Sequence, residues 1–81
     1  MTVITKKVGA ARKGFAKRLA QIRGKESQRQ FALRLGVYQQ NINRYENGTA
    51  PNAAFLTHLA QVERVNLNWL LTGKGQPRIR S

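Results

Sequence analysis

SQRQFALRLGVYQQNINRYENG, residues Ser27–Gly48, is the stretch that decides the fold of this 81-residue chain. Its apolar positions recur at helical steps and are interrupted once. Phe31, Ala32 and Leu35 share one face of a helix predicted over Gln28–Leu35, with Ser27 as its N-cap. A second helix is predicted from about Tyr38 to Asn47, closed by the turn signal Asn47-Gly48. Only Gly36 and Val37 separate the two, so they must cross at a steep angle. Ala32 is small enough for close approach, Gly36 can take the positive φ of a tight turn, and Val37 and Ile42 bury against Phe31 and Leu35. Counted from Gln28, Ala stands fifth, Gly ninth, and apolar residues fourth, eighth, tenth, fifteenth and eighteenth. That is the spacing of a helix-turn-helix.

Outward from this element the periodicity stays helical. Val8, Ala11, Phe15, Leu19 and Ile22 form one apolar stripe of a first helix ended by Gly24, with Arg12, Lys13, Lys17 and Arg23 mostly off that stripe. Pro51-Asn52 opens a fourth helix burying Phe55, Leu56, Leu59, Ala60 and Val62. Asn66 or Asn68 caps a short fifth helix with Leu67, Trp69, Leu70 and Leu71, and Gly73 ends it. The expectation is an all-α domain of five short helices at 9–73, a basic N-terminal arm at 1–8 and a basic flexible tail at 74–81.

Charge narrows the function. Fifteen Lys and Arg face three glutamates, a net charge of +12, and ten of the fifteen lie between Lys6 and Arg34. Such a field attracts polyanions, nucleic acid foremost. The chain has no cysteine and a single histidine, His58, so a thiolate metal site, a disulfide framework and a histidine cluster are all excluded. His58 reads as a packing or surface residue. Trp69 suits either the core or a dimer contact. No apolar run approaches the roughly 18 residues of a membrane span, and the N-terminus has no apolar signal core, so a cytoplasmic protein is the default. The glutamates give no paired carboxylates, and there is no nucleophile–base pair or phosphate-binding glycine loop, so the reading is of a non-enzyme needing no cofactor.

The third helix has a face suited to reading bases. Ile42 and Tyr45 point inward, while Gln39, Gln40, Asn43 and Arg44 share the opposite face with Asn41 toward one edge. Amides can both donate to and accept from an adenine edge, and a guanidinium suits guanine O6 and N7. Three functions fit at this stage: a dimeric operator binder, a protein-interaction module centred on Trp69, and a non-specific nucleic-acid packaging protein.

Ser27–Gly48, together with Phe55-Leu-Thr-His-Leu-Ala and Asn68-Trp-Leu-Leu-Thr-Gly, resembles the phage repressor and Cro (Xre-type) helix-turn-helix family over roughly residues 12–73. The resemblance implies a five-helix, lambda-repressor-like DNA-binding domain. It further implies a homodimer on a pseudo-palindromic double-stranded operator, acting as a transcriptional regulator. Carried over by position, it makes Gln39, Gln40, Asn41, Asn43 and Arg44 base readers. Gln28 would contact a phosphate and brace the reading helix, and Asn47 and Thr49 would meet the DNA backbone from the loop. The net charge, rather than the resemblance, adds Lys13 and Lys17 to the expected backbone contacts, with Arg29 and Tyr38 beside them. Tyr38 stands where the family usually has Ser or Thr, which either loses a conventional N-cap or places a phenol against a phosphate or a thymine methyl. Glu46 often pairs in the family with a first-helix arginine, and here that register offers Gln21, with Arg18 one turn earlier.

Overall fold

A Schellman motif joins the two helices on which the fold turns. The Val37 N–H donates to Ala32 O and the Gly36 N–H to Leu33 O, closing the last carbonyls of the preceding helix. Gly36 sits at φ 74°, and a Cβ built there would meet nothing within 4 Å. Glycine is needed here for its dihedral angle alone.

The computed structural model describes residues 14–79. Within them, α1 is helical over 14–23, followed by α2 (Gln28–Leu35), α3 (Gln39–Glu46), α4 (Ala53–Val62) and α5 (Leu67–Thr72). The all-α, five-helix expectation holds. Each expected start has a local cause. Ser27 Oγ accepts from the Gln30 N–H, Asn52 Oδ1 from the Phe55 N–H, and Asn66 Oδ1 from the Asn68 N–H. Asn66, rather than Asn68, is therefore the cap of α5. The exception is α3, whose N-cap Tyr38 makes no side-chain cap bond.

One core gathers all five helices. Phe15, Leu19 and Ile22 from α1 meet Phe31, Ala32 and Leu35 from α2, Ile42 and Tyr45 from α3, Phe55 and Leu59 from α4, and Trp69 and Leu70 from α5. Val37, Leu56 and Leu67 pack against its margin. Tyr45 and Phe55 hold α3 to α4 with ring centroids 4.5 Å apart. Trp69 is a core residue, 7% exposed. Val8 and Ala11 of the expected stripe, and the arm at 1–8, lie outside the described residues.

Two details of burial depart from the sequence pattern. Val62 and Leu71 are exposed, whereas Val65 is fully buried. After α4 the chain turns at Arg64, which takes φ 55°, and Val65 rather than Val62 joins the core.

The segment from Lys74, expected as a flexible tail, instead folds back over the α4–α5 connection. Val65 and Arg78 form an antiparallel bridge. The Asn66 N–H donates to Pro77 O and the Ile79 N–H to Arg64 O, both at 2.9 Å. Arg78 Nη1 donates to Glu63 O at 2.7 Å and lies 3.4 Å from Glu63 Oε1. Backbone pairing and a charge partner together outweigh the polar, glycine-containing composition that made this stretch look loose.

Candidate nucleic-acid interface

The outer side of α3 is built by subtraction. With Ile42 and Tyr45 committed to the core, the 100° step of the helix leaves Gln39, Gln40, Asn43 and Arg44 exposed on the far side. The steep crossing fixed at Gly36 brings Gln28, the first residue of α2, against them. These five residues line one open groove. Its chemistry is that of amides and one guanidinium, with no acid.

Asn41, expected among the base readers, lies elsewhere. It is half-buried and lines a separate cleft with Val37, Tyr45, Asn52, Phe55 and His58. One step along the helix from Gln40 turns its side chain toward α4, so the groove does not include it.

The residues expected along a DNA backbone surround the groove unevenly. Tyr38, at the start of α3, is 77% exposed. Arg29 is exposed on α2 and Thr49 in the loop after α3. Lys17 lies beside that loop, lining a shallow hollow with Ala16, Ala20, Glu46, Asn47 and Gly48. Lys13 is outside the described residues. Asn47 is exposed, and its Nδ2 donates to the Asn43 backbone carbonyl at 2.7 Å, which ties the loop to the last turn of α3.

Glu46 finds a partner that neither expected register supplied. Arg23, the last residue of α1, donates from Nε to Glu46 Oε2 at 2.7 Å and from Nη2 to Oε1 at 2.9 Å. Arg23 Nη1 also donates to Glu26 O at 2.7 Å, so the same guanidinium holds the α1–α2 turn. Arg18 is used elsewhere: its Nε donates to Leu70 O at 2.7 Å, a carbonyl in the last turn of α5 where cations are favoured. Gln21 is exposed. The signal for Arg23 was its place at the α1 terminus, where the turn into Gln28 faces the end of α3. Counting helical turns from the middle of α1 missed it.

Burial raises the cost of ionising Glu46, but the hydrogen bonds from Arg23 and Gln28 and the Arg23 charge outweigh it and hold the carboxyl below its ordinary range. The other two acids are also paired within the protein. Glu26 bonds to Arg34, whose hydrogen bond lowers its pKa. Glu63 bonds to Arg34 and to Arg78. All three glutamates of the chain are thus matched by arginines, and none lines the α3 groove. Among the described residues, Lys17, Lys25, Arg29, Arg44, Arg64 and Lys74 stand exposed.

Among the described residues no group of His, Cys, Asp and Glu could hold a metal ion, and no helix is long and apolar enough to cross a membrane.

The chain matches a family model over residues 14–78, described as the bacteriophage CI repressor helix-turn-helix domain. Among curated proteins it is similar to the HTH-type transcriptional regulators for conjugative element R391 of Providencia rettgeri, SXT of Vibrio cholerae and pMERPH of Shewanella putrefaciens. Each is 34% identical over 50 residues, which is 62% of this chain and 23% of the relative. The chain therefore spans about a quarter of the length of these relatives. No solved structure matches.

Proposed function

The chain belongs to the bacteriophage CI repressor helix-turn-helix family, and from that premise we propose that it is a transcriptional regulator binding a specific double-stranded operator, with α3 in the major groove. The observation that carries this reading is the convergence of Gln28, Gln39, Gln40, Asn43 and Arg44 on one acid-free groove. Arg44 suits a guanine edge and the amides of Gln39, Gln40 and Asn43 suit adenine, while Gln28 braces them and meets a phosphate. Arg29, Tyr38, Thr49 and Lys17 around it supply phosphate contacts, which set register and affinity without carrying sequence information, whereas the side-chain hydrogens of Asn47 are spent on Asn43. A homodimer on a pseudo-palindrome, with half-site centres one helical turn or about 34 Å apart, suits a single short reading helix. The protein works without a cofactor, in the cytoplasm at the nucleoid of a bacterial or phage-infected cell.

Selection of bound sites from random double-stranded DNA tests this directly. The expected product is a two-fold symmetric site. Arg44→Ala should relax preference at one base pair, losing about 1–3 kcal/mol there, whereas Lys17→Ala should weaken binding to all sequences alike. If Gln39→Ala and Arg44→Ala bind selected and scrambled DNA with unchanged preference, the reading face is wrong. A steep salt dependence with no preference for any sequence would mark a packaging protein instead.

A further inference from the structure

Gln28 and Asn43, two amides of the groove, are wired together with Asn47 to one carboxylate behind it. Gln28 Nε2 donates to Glu46 Oε1 at 3.1 Å, and Gln28 Oε1 accepts from Asn43 Nδ2 at 3.3 Å. Asn43 Oδ1 in turn accepts from Asn47 Nδ2 at 3.3 Å. That Asn47 nitrogen is itself held by the Asn43 backbone carbonyl at 2.7 Å.

An amide group is almost symmetric in shape, so half a turn about its last bond exchanges donor for acceptor. Both ends of this relay meet groups that can only accept. The ionised Glu46 forces the Gln28 nitrogen toward itself, which leaves the Gln28 oxygen facing α3. That oxygen requires the Asn43 nitrogen. From the other end, the backbone carbonyl holds the Asn47 nitrogen, which requires the Asn43 oxygen. The two constraints agree, and one polarity satisfies every bond.

We propose that Glu46 is a positioning residue for operator selection: acting through Gln28, it fixes which edge of the Asn43 amide donates and which accepts, and so makes Asn43 selective for adenine. The inference rests on the α3 face being the base-reading face. Of the two hydrogens and two lone pairs of the Asn43 amide, the relay uses one of each. One of each remains, the set that pairs with adenine N6 and N7. An amide turned over presents the opposite pattern, so an Asn43 released to rotate averages over two polarities and loses discrimination. Arg23 completes the device by donating to both oxygens of Glu46, which holds the carboxylate in place as an acceptor for Gln28.

The test compares site selections by the full chain and by Asn43→Ala, Glu46→Gln, Gln28→Met and Arg44→Ala. Asn43→Ala identifies the base pair that Asn43 reads. Glu46→Gln keeps the shape but offers Gln28 either a donor or an acceptor, and Gln28→Met removes the relay while leaving the Arg23–Glu46 pair intact. The expected result is that both flatten the Asn43 pair by about tenfold while preference at the Arg44 pair persists. A fold that had merely loosened would lower all positions together. Wild-type preference at the Asn43 pair in both variants, or an equal loss of base preference at the Asn43 and Arg44 pairs, overturns the proposal while the reading face stands; a drop in affinity common to all sequences in Gln28→Met reports only its phosphate contact. Should Glu46→Gln fail to fold, Gln28→Met decides alone. If Asn43→Ala flattens no pair, the reading-face assignment fails at this position and the inference falls with it.

Discussion

Arg23 and Glu46 form a side-on, two-bond ion pair that ties the end of α1 to the end of α3, at 2.7 and 2.9 Å. Glu46 is the more enclosed partner, with a side chain 9% exposed against 22% for Arg23. The pair sits directly behind the reading face, so it couples the stability of the domain to the placement of its recognition helix.

Removing the arginine should be costly because the carboxylate stays behind. Arg23→Ala leaves an enclosed charge with only Gln28 as partner, and a loss of about 2–3 kcal/mol is expected. Arg18→Ala removes a single bond to the Leu70 carbonyl and should cost about 1 kcal/mol. Urea unfolding with unchanged slope measures both. The opposite ranking would mean that the bond to the Leu70 carbonyl, not the ion pair, is the stronger tie of α1 to the core.

The same pair sets an acid limit. Glu46 has a folded pKa below its ordinary value, so folding favours its ionised form. Its contribution is fully present above the unfolded pKa of about 4.3 and is lost as pH falls through the lower folded value. Glu26, held down by Arg34, acts in the same direction from a more exposed position. The urea midpoint should be level from about pH 7 to 5 and fall below about pH 4. Arg23→Met should show a shallower acid loss, since the stabilisation it would forfeit is already gone.

Tyr38 separates stability from binding. It has the extended backbone of an N-cap, φ −77° and ψ 138°, but makes no side-chain cap bond, and at 77% exposure it contributes little to the core. Tyr38→Ser should therefore add a cap worth about 0.5–1 kcal/mol, raising Tm by about 4 °C. On the proposed reading it also removes a phenol from the DNA backbone, so affinity should fall while Tm rises. An unchanged affinity would remove Tyr38 from the interface.

The returning C-terminal segment depends on Glu63. Arg78 bonds both the backbone and the carboxylate of Glu63, but its side chain is half-exposed, 48%, so the ion pair is worth less than about 1 kcal/mol. Arg78→Ala should leave global stability nearly unchanged while speeding amide exchange at Asn66 and Ile79, the two donors that pin the segment, by about fivefold. Protected amides at both positions in the variant would show that backbone pairing holds the segment unaided.

Much of this protein is written in local pattern. The helix starts at Ser27 and Asn52 and the stops at Gly24, Gly36 and Gly73 follow from residue chemistry within a turn or two of the chain. The exposed amides of α3 follow from the helical repeat once Ile42 and Tyr45 are assigned inward. Helical periodicity does not anticipate Val65, which follows a residue, Arg64, in the left-handed region, an unusual state for a residue with a Cβ. Asn41 stands apart from the groove because it lines a cleft with Phe55 and His58 of α4, and periodicity alone does not say where α4 will lie against α3.

By itself, then, the sequence determined the five-helix architecture, the tight α2–α3 crossing and the composition of the reading face, since periodicity, capping and turn chemistry act over a few residues. Only the tertiary structure decided that Glu46 belongs to Arg23, that Arg18 serves α5, that the segment from Lys74 returns to the α4–α5 connection, and that Gln28, Asn43 and Asn47 share one hydrogen-bonded order. A long, flexible cation can reach several acids from one backbone position. An amide can bond in either sense. Which partner and which sense prevail is set by groups distant in sequence that packing brings together.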